Sequence, residues 1–125
     1  IWFWCKQLKF KIKKVAVENG TTIDKVLGYK NVKVRTIKLQ DNNKNLVELL
    51  FFLNSPKIKK NKMMPYSIGI THISVTVKDL EKIYKKLKKN KIQFNSEPRL
   101  SADKKVLMTY CRTPEGSFLE LVEEL

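Results

Sequence analysis

The strongest constraint on how this chain folds is that it carries one pattern twice. "QDNNKNLVELL" and "RTPEGSFLELV" superpose without a gap, placing Asp41 over Thr113, Asn45 over Ser117 and Glu48 over Glu120. In each copy a polar turn leads into an apolar strand that holds a glutamate. Upstream, "FWCKQLKFKI" matches "IYKKLKKNKIQF", with a longer loop after it in the first copy. Such self-similarity marks one supersecondary unit used twice. The second copy reads β, α, β, β, β. The first lacks an opening strand, and the counterpart of "GITHISVTV" is expected upstream of Ile1. "IWFWC" already lies inside a patterned segment, so the chain reads as beginning part-way through its first copy.

At 125 residues the chain has room for one domain made of both copies. In the first, Ile1, Trp4, Cys5 and Leu8 have the spacing of a buried helix face. "KFKIKKVAVENG" reads as a strand running into a turn and "TTIDKVLGYKN" as a briefly helical loop. "VKVRTIKLQ" and "LVELLFFL" are strands joined by the turn "DNNKN". Residues 54–68, with Pro56, Pro65 and a lysine cluster, show neither period. They are expected to link module one, 1–53, to module two, 69–125.

Module two opens on "GITHISVTV". Its alternation puts Ile73, Val75 and Val77 on one face and His72, Ser74 and Thr76 on the other. Leu80, Ile83, Tyr84 and Leu87 then form a helical stripe, with Asp79 as the expected N-cap. "KIQFNSEP" reads as a strand and a break, "KKVLMTYCR" as a strand, "TPEG" as a turn and "SFLELVEE" as the last strand.

The formal charge is +14, and it is nearly all lysine: the arginines are Arg35, Arg99 and Arg112. Readers of phosphates and bases rely on arginine forks, and these lysines are scattered through every element. The expectation is solvated faces and a small, anionic substrate, with no nucleic acid as partner. No apolar run approaches the length of a membrane span, and no membrane partner is expected. Cys5 and Cys111 are too few for a disulfide framework, which fits a reducing cytoplasm.

The repeated glutamates carry the chemistry. Glu48 shares a strand face with Leu46, Leu50 and Phe52, and Glu120 shares one with Phe118 and Val122. A carboxylate among apolar neighbours has to be paired, protonated or bound to metal. With His72, the only histidine, these side chains suit a divalent ion: zinc, nickel, manganese or iron(II). A surface histidine, a Glu120 hydrogen-bonded within the site, and a Glu48 paired with Lys33 or Arg35 are the alternatives. Met108, Tyr110 and Arg112 share a face beside Glu120 and are candidate substrate contacts. Trp2, Phe3, Trp4 and Phe10 belong to the core, Phe3 or Trp4 also being a candidate pocket wall, and Cys111 packs on the opposite face.

"GITHISVTVKDLEK", "YCRTPEGSFLELVE" and "LGYKNVKVRTIKL…LVELL" together resemble the vicinal oxygen chelate superfamily. That superfamily includes glyoxalase I, methylmalonyl-CoA epimerase, extradiol dioxygenases and bleomycin-resistance proteins. The resemblance spans nearly the whole chain and leans toward the glyoxalase-like and epimerase-like branches. It implies an α+β fold, with paired βαβββ modules forming an open U-shaped barrel of mixed sheet and helices outside. It implies His72, Glu120 and Glu48 as ligands of one metal, with Glu120 or Glu48 also serving as base. A fourth ligand belongs on the expected upstream strand. The implied activity is that of a lyase or isomerase stabilising an enediolate or oxyanion. The alternatives are a metal-free, ligand-sequestering protein of the bleomycin-resistance type and an extradiol dioxygenase. Thr113 replaces the aspartate usual before the family's "PxG" turn. An unpaired sheet edge in module one further leads to the expectation of a homodimer.

Overall fold

The computed structural model describes residues 1–28, 30–54, 64–70 and 72–125. The fold is α+β, and the chain divides into two compact units, Ile1–Lys60 and Asn61–Leu125. Each holds one open sheet among the described residues: three antiparallel strands in the first, four mixed strands in the second. Tyr29 of the expected loop, Thr71 of the expected opening strand and most of the expected linker, 55–63, lie outside the described residues.

The first unit begins with a π-helix, Trp2–Gln7. Its hydrogen bonds reach one residue further back than in an α-helix, as when the Leu8 amide donates to the Phe3 carbonyl at 3.2 Å. This wider turn changes which side chains face inward. Phe3, Trp4 and Gln7 are buried, Ile1 is exposed, Cys5 and Leu8 are half-buried, and Trp2, expected in the core, is turned out to solvent. The helical face expected from Ile1, Trp4, Cys5 and Leu8 therefore holds only at Trp4. Phe3, Trp4 and Phe10 meet edge to face, with ring centroids 5.9 and 5.2 Å apart. Among the described residues, Val32, Val34 and Leu39 are the other buried aliphatic side chains of this unit.

Three strands follow: β1 (Lys11–Asn19), β2 (Lys33–Gln40) and β3 (Leu46–Phe52), in the order β1-β2-β3. Between the first two lies a short helix, α1 (Thr21–Leu27), which stops at Gly28 with φ 68°. There the missing Cβ removes the cost of a left-handed turn. The Asp24 carboxylate accepts the amides of Asn31 and Val32 at 3.0 and 2.8 Å, tying α1 to the approach to β2.

The second unit holds β4 (His72–Thr76), α2 (Leu80–Lys89), β5 (Arg99–Leu100), β6 (Val106–Arg112) and β7 (Phe118–Glu124). The sheet order is β4-β7-β6-β5, with β4 parallel to β7. The strand expected at "KIQF" reduces to a single bridge, Phe94 to Cys111. Pro98 follows shortly after, and having no N–H it cannot continue a ladder.

Leu80 and Leu87 of α2 and Leu119, Leu121, Thr109 and Cys111 of the sheet are buried. Those sheet residues share a face, since Thr109 pairs with Leu121 and Cys111 with Leu119. Glu123 belongs to the same face, and it accepts the amides of Asp79 and Leu80 at 2.8 and 2.9 Å. The expected cap by Asp79 is not made. Its backbone is left-handed, with φ 56°, and its side chain forms no cap bond. The helix is capped instead by a carboxylate from a distant strand, which also suits the positive end of the helix dipole.

Burial pushes the Cys111 thiol up to about 12, which leaves it without thiolate near neutrality. Cys5 is half-buried. A maleimide applied to the native protein is expected to label Cys5 and spare Cys111 until the chain is unfolded, as read by mass spectrometry. Labelling of native Cys111 at the rate of Cys5 would show that this core opens easily.

The repeat extends to individual hydrogen bonds in the turns. Asp41 N–H donates to the Asn45 carbonyl at 3.1 Å and Lys44 N–H to the Asp41 carbonyl at 3.3 Å. In the second copy Thr113 N–H donates to Ser117 and Gly116 N–H to Thr113, both at 2.9 Å. Lys44 and Gly116 both have positive φ, 68° and 99°. The Asn45 side chain, with the Asn45 and Asn43 amides, holds the Asp41 carboxyl below the usual carboxylate range. Thr113 has no carboxylate to gather those amides. Its buried hydroxyl oxygen has no partner among the described residues.

Candidate functional site

In the second unit, register decides which side chains share a face. β7 lies between β4 and β6, so each of its residues faces two neighbours. Phe118 lies opposite His72 and Arg112, Glu120 opposite Ser74 and Tyr110, and Val122 opposite Thr76 and Met108. All nine are on the face opposite Leu119 and Leu121, because neighbouring side chains on a strand alternate. An imidazole, a carboxylate, a phenol, a guanidinium and a hydroxyl thus stand in two adjacent rows on one sheet face.

The contacts within these rows are specific. The Arg112 guanidinium lies over the Phe118 ring, 4.0 Å from its centroid, and Nη1 donates to the Gly116 carbonyl at 2.8 Å. The Tyr110 ring meets His72 edge-on with centroids 5.1 Å apart, and its Oη lies 3.4 Å from Nε2. Glu120 is the cross-strand partner of Tyr110. Burial first, and then the neighbouring Glu120 carboxylate, push the phenol above its ordinary value. Phe118 is buried beneath Arg112, Tyr110, Glu120 and Arg112 are half-buried, and His72 and Ser74 are exposed.

The first unit contains Glu48 and Phe3. Glu48 lies on β3, and its cross-strand partner is Lys38, with Nζ 3.5 Å from the carboxylate. This corrects the expectation of a pairing with Lys33 or Arg35. Register sets Arg35 opposite Phe51, on the other face, and Lys33 at the strand end, where its carbonyl accepts from Leu53. Lys38 precedes Glu48 by ten residues, as Tyr110 precedes Glu120. The two modules thus set different partners, an ammonium and a phenol, beside equivalent glutamates. The aligned turns carry that correspondence, and extending the alignment one strand upstream would have found it. Phe3 is 2% exposed and lies in the aromatic core with Trp4. A cavity of about 430 Å³ beside α1 is lined by Thr21, Asp24, Lys25, Gly28, Lys30 and Asn31, none of them a predicted site residue.

His72 and Glu120 fit two of the donors a divalent ion takes, being an imidazole and a carboxylate on one face of adjacent strands. Among the described residues, no three His, Cys, Asp or Glu side chains gather closely enough to hold an ion together. Among the described residues, no helix is long and apolar enough to cross a membrane.

Two sheets built on a repeated module, each with a glutamate in its closing strand, define the class of fold. Residues 1–121 match the profile of the Glyoxalase/Bleomycin resistance protein/Dioxygenase superfamily, and the chain belongs to that superfamily. Its members are often enzymes and often metal-dependent. Solved structures share the fold. A glyoxalase family protein from Bacillus cereus superposes with a TM-score of 0.84 at 22% identity, over 96% of this chain and 81% of that one. A glyoxalase family protein from Enterococcus faecalis gives 0.61 at 20% identity, over 97% and 83%. The trypanothione-dependent glyoxalase I of Leishmania major gives 0.63 at 16% identity, over 99% and 76%. No curated protein sequence matches the chain.

Proposed function

We propose that this protein is a glyoxalase- or epimerase-like metalloenzyme, a lyase or isomerase acting on a small oxygenated metabolite. The observation that carries this reading is the placement of His72 and Glu120 on one face of adjacent strands, with Glu48 at the equivalent position of the first module. His72 and Glu120 would hold zinc, nickel, manganese or iron(II), Glu48 being the equivalent candidate donor of the first module, and the ion would supply Lewis-acid stabilisation of negative charge on a substrate oxygen. Glu120 would take a proton from the carbon next to a carbonyl. Tyr110 and Met108 line the same face. Arg112, braced on Phe118, and the +14 charge suit an anionic substrate. Both cysteines are free thiols, in keeping with a cytoplasmic protein. The test is elemental analysis after incubation with each of the four metals, on protein purified without a metal column. Near-stoichiometric content in one of them is the expected result, and trace content in all four would defeat the reading.

A second reading, a metal-free protein that sequesters a ligand, is favoured by one observation. Two of the three candidate donors have a protein partner already: Lys38 for Glu48 and Tyr110 for His72. Extradiol ring cleavage ranks below both, since His72 is the only histidine of this sequence.

The β1-β2-β3 order leaves the outer edge of β3 unpaired among the described residues, with Leu46, Leu50 and Phe51 exposed. Such an edge invites another strand, and we expect a homodimer. Light scattering at micromolar concentration should give about twice the 14.7 kDa chain mass. The mass of a single chain would count against it.

A further inference from the structure

The chain has three arginines, and register puts two of them on the face that carries His72 and Glu120. Arg99 opens β5 opposite Met108, so it extends the row of Thr76, Val122 and Met108 outward by one strand. Arg112 stands at the other end of the same face, opposite Phe118. Part of what Arg112 does belongs to the turn. Its Nη1 donates to the Gly116 carbonyl at 2.8 Å, and Gln40, its counterpart in the first module, donates Nε2 to the Lys44 carbonyl at 3.2 Å. A neutral amide makes that bond too, so the turn itself asks for no charge. Arg99 is held differently. Its Nη2 meets the Glu97 carboxylate at 2.7 Å, with the two side chains 69% and 61% exposed. An exposed pair of this kind is weak and easily exchanged. It also sets a guanidinium fork, the group that matches a carboxylate in two bonds, at the outer end of the candidate site.

We propose that Arg99 is a specificity-determining residue that takes the far carboxylate of the substrate, so that the substrate class is a dicarboxylic acid with an apolar stem. This rests on His72 and Glu120 holding the oxygenated end at a metal, as proposed above. From Glu120 to Arg99 is two strand spacings across the sheet and two residues along it, about 12 Å between backbones. The floor between them is Val122 and Met108, both half-buried, which suits methylene groups. At its end Arg99 exchanges the Glu97 carboxylate for that of the ligand. A neutral tail of the same length gains only the apolar floor and leaves the Arg99–Glu97 pair as it is. In a chain whose 26 basic residues include three arginines, the fork at this position supplies a geometry that a lysine would not.

The probes are 2-oxo diacids of increasing length, from 2-oxoglutarate to 2-oxosuberate, each compared with the 2-oxo monoacid of equal chain length. Binding to zinc-equilibrated protein is followed by ¹H–¹⁵N NMR of the arginine side chains, at physiological salt to screen general attraction to the +14 charge. At the length that fits, the diacid is expected to bind about three- to tenfold more tightly than its monoacid, the worth of one net hydrogen bond, and to shift the Arg99 Nε signal. Arg99→Gln should abolish that preference and leave the monoacid affinity unchanged. Arg35→Gln, the same loss of charge in the first unit, should leave the preference intact. The proposal is overturned if no diacid is preferred at any length, if the preference survives Arg99→Gln, or if Arg35→Gln removes it equally. The reading beneath it fails separately: binding of both acids that is indifferent to zinc and to His72→Ala defeats the metal site, while the comparison of parent with Arg99→Gln still decides the part played by Arg99.

Discussion

Replacing Glu120 by Gln, or His72 by Ala, is expected to strip bound divalent metal from the protein while leaving its fold intact. Glutamine has the shape of glutamate, so its packing opposite Ser74 and Tyr110 survives. What is lost is the negative charge that balances the cation. Thermal stability should therefore change by no more than about 1 kcal/mol, the scale of a single net hydrogen bond. Metal content should fall by more than about tenfold, because even outer-shell losses at metal sites cost that much. His72→Ala removes the imidazole outright and, as the side chain is exposed, leaves no cavity. Elemental analysis after equilibration with zinc, nickel, manganese or iron(II) reads the outcome. Equal metal in parent and both variants would sink the site.

Leu87→Ala is the substitution with the largest expected effect on stability. Leu87 is fully buried on α2, in the unit whose sheet buries Leu119 and Leu121. Truncating it removes apolar burial and leaves a void that close packing fills only partly, at a cost of about 2–5 kcal/mol. The same substitution at Lys82, exposed on the same helix, should stay within about 0.5 kcal/mol. Urea unfolding would show a lower midpoint for Leu87→Ala with an unchanged slope. A loss of less than about 1 kcal/mol at Leu87 would mean that α2 is held by its cap alone.

What the sequence displayed, and what it hid, divides along one physical line. Period-two alternation and the repeated turn are local, and they located β2, β3, β4, β6 and β7 and the faces of Glu48, His72 and Glu120. Interactions that depend on register between strands were not local. The Glu123 cap of α2 joins residues more than forty positions apart, and Asp79, the obvious local cap, turns its backbone the other way. Lys38 was passed over for Lys33 and Arg35 because which cation meets Glu48 depends on the β2–β3 pairing. The π-helix escaped because a period of 3.6 is assumed when a short apolar stripe is counted. Tyr110 and Arg112 were legible as neighbours of Glu120. That one would reach His72, and the other would lie on Phe118, needed coordinates.

β7 has a further consequence, for the order in which the second unit is assembled. It is synthesised after every other element of its sheet, yet it is the strand on which both β4 and β6 pair, and it supplies the carboxylate that starts α2. Until Phe118–Glu124 has emerged, β4 has no strand beside it among the described residues, and the first amides of α2 lack their acceptor. The unit therefore cannot mature progressively from its amino end. It has to wait with Leu80 and Leu87 unprotected and then close in one late, long-range event, the kind of topology that folds slowly and leans hardest on protection from aggregation.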